Sequence, residues 1–132
     1  MPHPAQQLLP QTAALLRAAY AAFNTRDIDA ALVLMTHDVA WPRAFKGGYV
    51  RGHDEVRAYW SEQWREIDPH VEPLAFLRED TGQILVTVRQ VVRGLAGSVL
   101  ADERVGHRFS IADGLIRQMD VCALPAHSVD AG

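Results

Sequence analysis

One histidine interrupts an otherwise apolar row of side chains in the last third of the sequence. Residues 99–123 predict two strands joined at Asp113–Gly114, a pair that favours a hairpin turn. An imidazole can accept and return a proton near neutral pH, so His107 on the first strand is the leading candidate for a catalytic acid/base. A core histidine satisfied by a neighbour is the structural alternative. Because side chains alternate between the faces of a strand, the row comprises Glu103, Val105, His107, Phe109 and Ile111.

The second predicted strand carries a carboxylate that could act with this histidine. Asp120 is the predicted second catalytic group, and Gln118 is a predicted ligand-binding residue. This interpretation requires one face of the strand to carry Ile116, Gln118, Asp120 and Cys122. The alternative is that the opposite face is buried, which leaves Asp120 exposed; that face carries Leu115, Met119 and Val121.

Other side chains are suited to binding a ligand. The planar guanidinium of Arg43 fits a carboxylate or an enolate, although a solvated edge arginine is the alternative. Gln90 interrupts an apolar strand face, as either a pocket residue or a hydrogen-bonded core residue would. Aromatic side chains commonly line ligand cavities but equally suit a core. The aromatic candidates for the cavity wall are Tyr20, Trp41, Trp60 and Trp64.

Composition limits the class of protein. With 132 residues and 48% hydrophobic content, the chain predicts one domain, 1–132, with enough apolar material for a core. A net charge of −3 argues against nucleic acid or an anionic membrane as a partner. The single cysteine excludes an internal disulfide, and no signal segment or membrane-spanning run is present, which predicts a cytoplasmic protein. Histidine pairs with metal-ligand spacing are absent, so neither a metal nor a cofactor is predicted.

The first half of the chain predicts three helices and one short strand. Helical spacing covers residues 6–23, with the regular helix starting near Pro10. Asp27 is a predicted cap for a second helix, whose buried stripe is Ile28, Ala31, Leu32 and Met35. Residues 39–45 alternate like a strand, but Pro42 confines them to a sheet edge or breaks the strand. A glycine-rich loop, 46–52, precedes a third helix that begins near His53.

The second half predicts an antiparallel meander. Its strands are residues 71–78 and 83–93, followed by the hairpin described above, and a loose tail begins at about residue 124. The fold class is therefore α+β, with three helices packed on a curved, mostly antiparallel sheet. Helices that lie across the concave face of such a sheet leave a conical pocket.

Three segments resemble the NTF2-like superfamily, and within it the SnoaL-like or ketosteroid-isomerase-like proteins. They are residues 22–29 (AFNTRDID), 51–60 (RGHDEVRAYW) and 108–116 (RFSIADGLI). The resemblance implies the cone-shaped, cystatin-like fold of that superfamily and a homodimer. The same fold hosts isomerases, cyclases, dehydratases, epoxide hydrolases and binding modules, so the site must decide the function.

The resemblance also bears on the site residues. Alignment on the Ala-Asp-Gly turn at 112–114 places His107 where the SnoaL-like polyketide cyclases have their aspartate acid/base. The ketosteroid isomerase pattern instead places Arg43 at the catalytic base and Ala19 at the tyrosine, which argues against isomerisation of an oxosteroid. Asp120 lies one residue from the last carboxylate of the similar epoxide hydrolases.

Three functions are consistent with this sequence. The first is an isomerase, cyclase or dehydratase that shuttles a proton on a small apolar carbonyl compound through His107. The second is a non-catalytic module that binds a small apolar or weakly anionic ligand. The third is a dimerisation or scaffold domain whose cone is filled by Trp60, Trp64 and Phe109; a cavity below about 300 Å³ would favour it.

Overall fold

The computed structural model describes residues 8–43 and 47–124. These two ranges contain three helices: α1 (Pro10–Asn24), α2 (Ile28–Leu32) and α3 (Gly52–Glu66). The predicted tail from about residue 124 lies almost entirely outside the described residues, as do residues 44–46 of the predicted strand and loop. None of the helices in the described ranges is long and apolar enough to cross a membrane.

The helix starts follow from local chemistry. Pro10 occupies the first turn of α1, where its missing N–H costs no hydrogen bond. Asp27 caps α2 as predicted, because its Oδ1 accepts from the backbone N–H of Ala30 at 3.1 Å. The prediction that Met35 belongs to this helix is wrong. The helix ends after one turn and Met35 begins a strand, in which it pairs with Ile116.

Within the described residues, six strands form one sheet: β1 (Met35–Pro42), β2 (Tyr49–Arg51), β3 (Ile67–Arg78), β4 (Ile84–Gly94), β5 (Val99–Ala112) and β6 (Leu115–Cys122). Their order is β2-β1-β6-β5-β4-β3, and every pair is antiparallel except β1 with β6. The predicted α+β class, with three helices on a mostly antiparallel sheet, is therefore confirmed.

The first two strands differ from the prediction. Of the two alternatives for the predicted strand, a sheet edge is wrong, because β1 lies between β2 and β6. Pro42 does break the strand, since it is the last residue of β1. The glycine-rich loop contains a strand that was not predicted, because Tyr49–Arg51 pairs with the end of β1. The edge position belongs to β2, not to β1.

The core lies between the helices and the concave face of the sheet. Its largest fully buried side chains include Leu16 of α1, Trp60 of α3 and Phe109 of β5. A side chain ties α1 to edge strand β3: the Asn24 amide donates to the carbonyl of Val71 at 2.7 Å and accepts from its N–H at 2.9 Å. This amide takes the place of a further strand at that point of the sheet edge.

A β-bulge at Arg117 resets the faces of β6. Ile116 pairs with Ile111, but Gln118 pairs with Ser110, so β6 has one residue more than β5 in this interval. The prediction that Ile116 shares a face with Gln118, Asp120 and Cys122 is therefore wrong. After the bulge, Met119 and Val121 pair with Phe109 and His107 and face the helices.

Candidate functional site

An inner cavity of about 80 Å³ lies between α1, α3 and the concave face of the sheet. Its wall is largely apolar and aromatic, with Tyr20 and Phe23 from α1, Tyr59 and Trp60 from α3, and His107 and Phe109 from β5. These side chains meet because both helices direct one face toward the sheet, while alternate residues of β5 point at the helices.

The polar centre of this cavity is a contact between Tyr20 and His107. The tyrosine hydroxyl lies 2.8 Å from Nδ1 of the imidazole, and both side chains are buried. Their rings are stacked with centroids 5.8 Å apart, and the edge of Phe109 packs against both. The hydrogen bond thus links α1 to β5 across the inner cavity.

Burial keeps both groups neutral. Removal from water lowers the pKa of His107 to about 4, because the imidazolium form loses its hydration. The same loss of hydration raises the pKa of Tyr20 well above its ordinary value, because it disfavours the phenolate. At pH 7 the site therefore contains a neutral imidazole bound to a neutral phenol.

The free nitrogen of the imidazole is Nε2. Nδ1 is bonded to Tyr20, and within the described residues no hydrogen bond to Nε2 is found. A hydroxyl can both donate and accept, so the contact accommodates either neutral tautomer of His107. When Tyr20 donates to Nδ1, Nε2 carries a proton; when Nδ1–H donates to Tyr20, Nε2 has a free lone pair. The site can thus present either an acid or a base.

The structure brings five of the predicted site residues together: Tyr20, Trp41, Trp60, Gln90 and His107 all line the inner cavity. Trp64 does not line it. Its ring packs behind the wall, with its centroid 5.7 Å from that of Trp60 and 5.4 Å from that of Phe23. On its other side the Arg26 guanidinium lies 5.0 Å from the ring centroid.

Asp120 lies apart from His107. It pairs with Arg108, the next residue along β5, and therefore points to the opposite face of the sheet. Its carboxylate accepts hydrogen bonds from the Tyr49 hydroxyl and, at 2.9 Å, from the amide of Gln118. Among the described residues that line the inner cavity there is no carboxylate, so His107 has no acidic partner there.

Arg43 follows the end of β1 and is exposed. Its Nε donates to the carbonyl of Gly47 at 3.0 Å, and its side chain lines a second cleft beside the inner cavity. The described ranges contain no group of three or more His, Cys, Asp or Glu side chains that could hold a metal ion.

The structure adds wall residues that the sequence interpretation did not select. Tyr59 and Gln63 line the inner cavity from α3, and their spacing from Trp60 was the available signal. Ile67 and Pro69 also line it. They were missed because Asp68–Pro69 predicted the end of a helix, whereas β3 begins at Ile67, directly after α3.

Comparisons with solved structures identify the fold. The crystal structure of TerC co-crystallised with polyporic acid has a TM-score of 0.75 and 22% identity, covering 91% of this chain and 96% of that one. An NTF2-like protein of unknown function from Burkholderia pseudomallei has a TM-score of 0.75 and 23% identity, covering 92% and 97%. At these identities the likeness shows a shared fold, and it confirms the fold that the sequence resemblance implied.

A third solved structure also contains a small molecule. This Mycobacterium tuberculosis protein, in complex with estradiol-17beta-hemisuccinate, has a TM-score of 0.72 and 15% identity, covering 84% of this chain and 92% of that one. None of the curated proteins matches the sequence. The model of the SnoaL-like domain matches residues 16–119, which is most of the chain. The protein therefore belongs to the SnoaL-like domain family.

Proposed function

We propose that this protein binds a small apolar carbonyl compound in the inner cavity and that His107 transfers a proton on it. The reaction class is that of an isomerase, cyclase or dehydratase that needs no cofactor. One observation carries the proposal: two ionisable groups, Tyr20 and His107, lie 2.8 Å apart inside an apolar cavity. A module that only binds its ligand has no need of such a pair.

The walls support an apolar ligand of small size. Aromatic side chains surround the space, and an unpaired charge would lose its hydration there. A volume of about 80 Å³ is below the roughly 300 Å³ at which pockets for drug-sized molecules begin, so the ligand portion held here is no larger than one ring.

The proposed proton step uses both nitrogens of His107. With Nδ1–H donating to the Tyr20 hydroxyl oxygen, Nε2 accepts a proton from the carbon next to the carbonyl group. The electron pair of the broken C–H bond forms the double bond of an enolate, and Tyr20 stabilises the transient imidazolium. Return of the proton to another carbon completes an isomerisation, and its transfer to a departing hydroxyl completes a dehydration.

Amide side chains are available for the enolate oxygen. Gln63 and Gln90 both line the inner cavity, and donors aimed at a developing oxyanion lower the barrier of such reactions. Two proteins of the same fold were solved with small molecules bound, polyporic acid in one and an estradiol derivative in the other. Their ligands support a small organic molecule as the ligand of this protein.

The test uses acetophenone, a one-ring ketone with exchangeable hydrogens beside its carbonyl. In deuterium oxide the protein should accelerate replacement of these hydrogens, followed by proton NMR, and the ketone should quench the fluorescence of Trp41 and Trp60. We expect His107→Ala to abolish exchange while the dissociation constant changes by less than about threefold. His70→Ala is the matched control, because His70 is exposed on β3.

Each alternative has its own outcome. Exchange that survives in His107→Ala contradicts the proposed role of His107. Saturable quenching without exchange identifies a non-catalytic binding module instead. The small cavity volume favours the scaffold alternative, which predicts neither quenching nor exchange, because Trp60 and Phe109 then fill the cone.

The family resemblance also supports a homodimer. Leu77, an apolar side chain that remains exposed on the face of the sheet turned away from the helices, is available for contact with a second copy. Sedimentation equilibrium should give twice the mass of 14.6 kDa, and a single-copy mass contradicts this part of the proposal.

A further inference from the structure

An outer cleft of about 300 Å³ adjoins the inner cavity. The two spaces share three wall residues, Pro42, Gln90 and Val121. Unlike the inner cavity, the outer cleft is lined by charged side chains, including Arg43 and Glu103. A ligand held in the inner cavity therefore has a polar space next to it.

Some polar side chains of the outer cleft already form hydrogen bonds within the protein, and others do not. Both oxygens of Asp120 accept hydrogen bonds, one from Tyr49 and one from Gln118. Arg43 uses only its Nε, on the carbonyl of Gly47, and its terminal nitrogens have no partner among the described residues. The carboxylate of Glu103 also has no hydrogen bond or ion pair within the described ranges. Donors and acceptors are thus both available in the outer cleft.

The strand register sets the separation between the two spaces. Glu103 pairs with Gln90, and His107 lies four residues further along the same face of β5. At about 3.3 Å per residue, their Cα atoms are separated by about 13 Å. Since the side chains themselves extend several ångströms, one ring with a short substituent can contact His107 at one end and the outer cleft at the other.

We propose that the outer cleft binds a neutral, hydroxyl-bearing substituent of the same ligand whose ring occupies the inner cavity. This inference rests on the proposed function. The described lining residues contain one cation, Arg43, and two carboxylates, Glu103 and Asp120. A carboxylate substituent meets net repulsion there, whereas a hydroxyl can donate to Glu103 and accept from Arg43 or Gln90. The ligand class is thereby narrowed from apolar or weakly anionic to apolar with a neutral polar end.

Three matched probes test this assignment: acetophenone, para-(hydroxymethyl)acetophenone and para-acetylbenzoate. They share the ketone and the ring and differ only at the position expected to reach the outer cleft. Quenching of tryptophan fluorescence gives each dissociation constant. We expect the hydroxymethyl probe to bind about fivefold more tightly than acetophenone, the effect of one net hydrogen bond, and para-acetylbenzoate to bind more weakly than acetophenone.

Two substitutions test whether the difference in affinity between the probes arises in the outer cleft. Glu103→Gln should lower the dissociation constant of para-acetylbenzoate by at least about threefold, because it removes a repulsive negative charge. The same substitution should raise the dissociation constant of the hydroxymethyl probe, because it replaces the carboxylate that accepts from the hydroxyl. Glu72→Gln is the matched control: it removes the same charge from the opposite face of the sheet, where Glu72 pairs with Arg89. It should leave all three constants unchanged.

The outcomes separate this inference from the proposed function. If acetophenone binds but the hydroxymethyl group adds nothing, or para-acetylbenzoate binds as tightly as acetophenone, the outer cleft assignment alone is overturned. Equal effects of Glu103→Gln and Glu72→Gln overturn it as well. If none of the probes binds, the proposed function fails, and this inference fails with it.

Discussion

Of two consecutive residues of β5, one has a neutral side chain and the other has a charged side chain. His107 faces the helices, is buried at 5% exposure, and has its pKa lowered to about 4 by the loss of hydration. Arg108 faces the other way and donates to both carboxylate oxygens of Glu79, at 2.7 and 3.0 Å. This guanidinium holds the pKa of Glu79 below its ordinary value through their hydrogen bond. Around His107 the inner face of the strand excludes charge, whereas at Arg108 the outer face retains charge by pairing it.

The difference indicates where stability and chemistry reside in this fold. On the inner face the energy comes from apolar burial, so changes of volume or polarity there are costly. On the outer face the charges of Arg108 and Glu79 lose part of their hydration when they pair, so the pair adds little to the free energy of folding. Proton transfer therefore has a protected environment on only one of the two faces.

The largest expected effect is the loss of a large side chain from the inner face. Phe109 is 1% exposed and packs edge-on against Tyr20 and Trp41. Phe109→Ala should lower the free energy of unfolding by about 3–5 kcal/mol, measured by urea denaturation. Leu100→Ala at an exposed position of the same strand is the control and should cost less than about 1 kcal/mol. Similar losses for both variants would contradict the contrast between the faces.

The second prediction concerns pH. The unfolded chain binds a proton on His107 with the ordinary pKa of about 6.5, whereas burial lowers the pKa to about 4 in the folded protein. Between these values only the unfolded state is protonated, so the free energy of unfolding should fall as pH falls, by up to about 1.4 kcal/mol per pH unit. His107→Gln should remove this component. Denaturation profiles of the two proteins that run parallel from pH 7 to about 4 would refute the prediction.

The third prediction concerns a close contact on the outer face. A Cβ at Gly106 would lie 2.8 Å from Sγ of Cys122 and 3.2 Å from Cδ1 of Leu85. Gly106→Ala should therefore cost about 1–3 kcal/mol of stability through overpacking. Adding Cys122→Ala should recover part of this loss, because the sulphur is removed. Strict additivity of the two substitutions in thermal denaturation would show that the contact is not responsible.

The smallest effect is expected for the ion pair between Arg108 and Glu79. Both side chains are partly exposed, at 34% and 23%. A double-mutant cycle with Arg108→Gln and Glu79→Gln should give a coupling free energy of at most about 1 kcal/mol, reduced further by salt. A coupling as large as the cost of Phe109→Ala would remove the distinction between the two faces.

The placement of His107 could be predicted because alternation along a strand is a local rule. The strand register from Glu103 to Phe109 contains no irregularity, so Glu103, Val105, His107 and Phe109 share one face of the sheet as expected. The α+β class was predictable for the same reason, since the helical and strand patterns are long and uninterrupted.

The sequence left the face of Asp120 open between two alternatives, because the answer depends on a bulge. One extra residue at Arg117 moves Ile116 to the face of Met119, and nothing in the local sequence marks that insertion. Strand β2 was missed because it has three residues, and its pairing with β1 is a tertiary contact. The contact between Tyr20 and His107 joins residues 87 positions apart, which periodicity alone cannot identify.

The sheet order has a consequence for how the chain acquires its fold during synthesis. Strand β6 is made after the other five, yet it lies between β1 and β5. Until β6 emerges from the ribosome, β1 with β2 has no hydrogen-bonding neighbour in the rest of the sheet, and the edge of β5 is unpaired. The sheet can therefore become continuous only once β6 has been synthesised and joins its two halves.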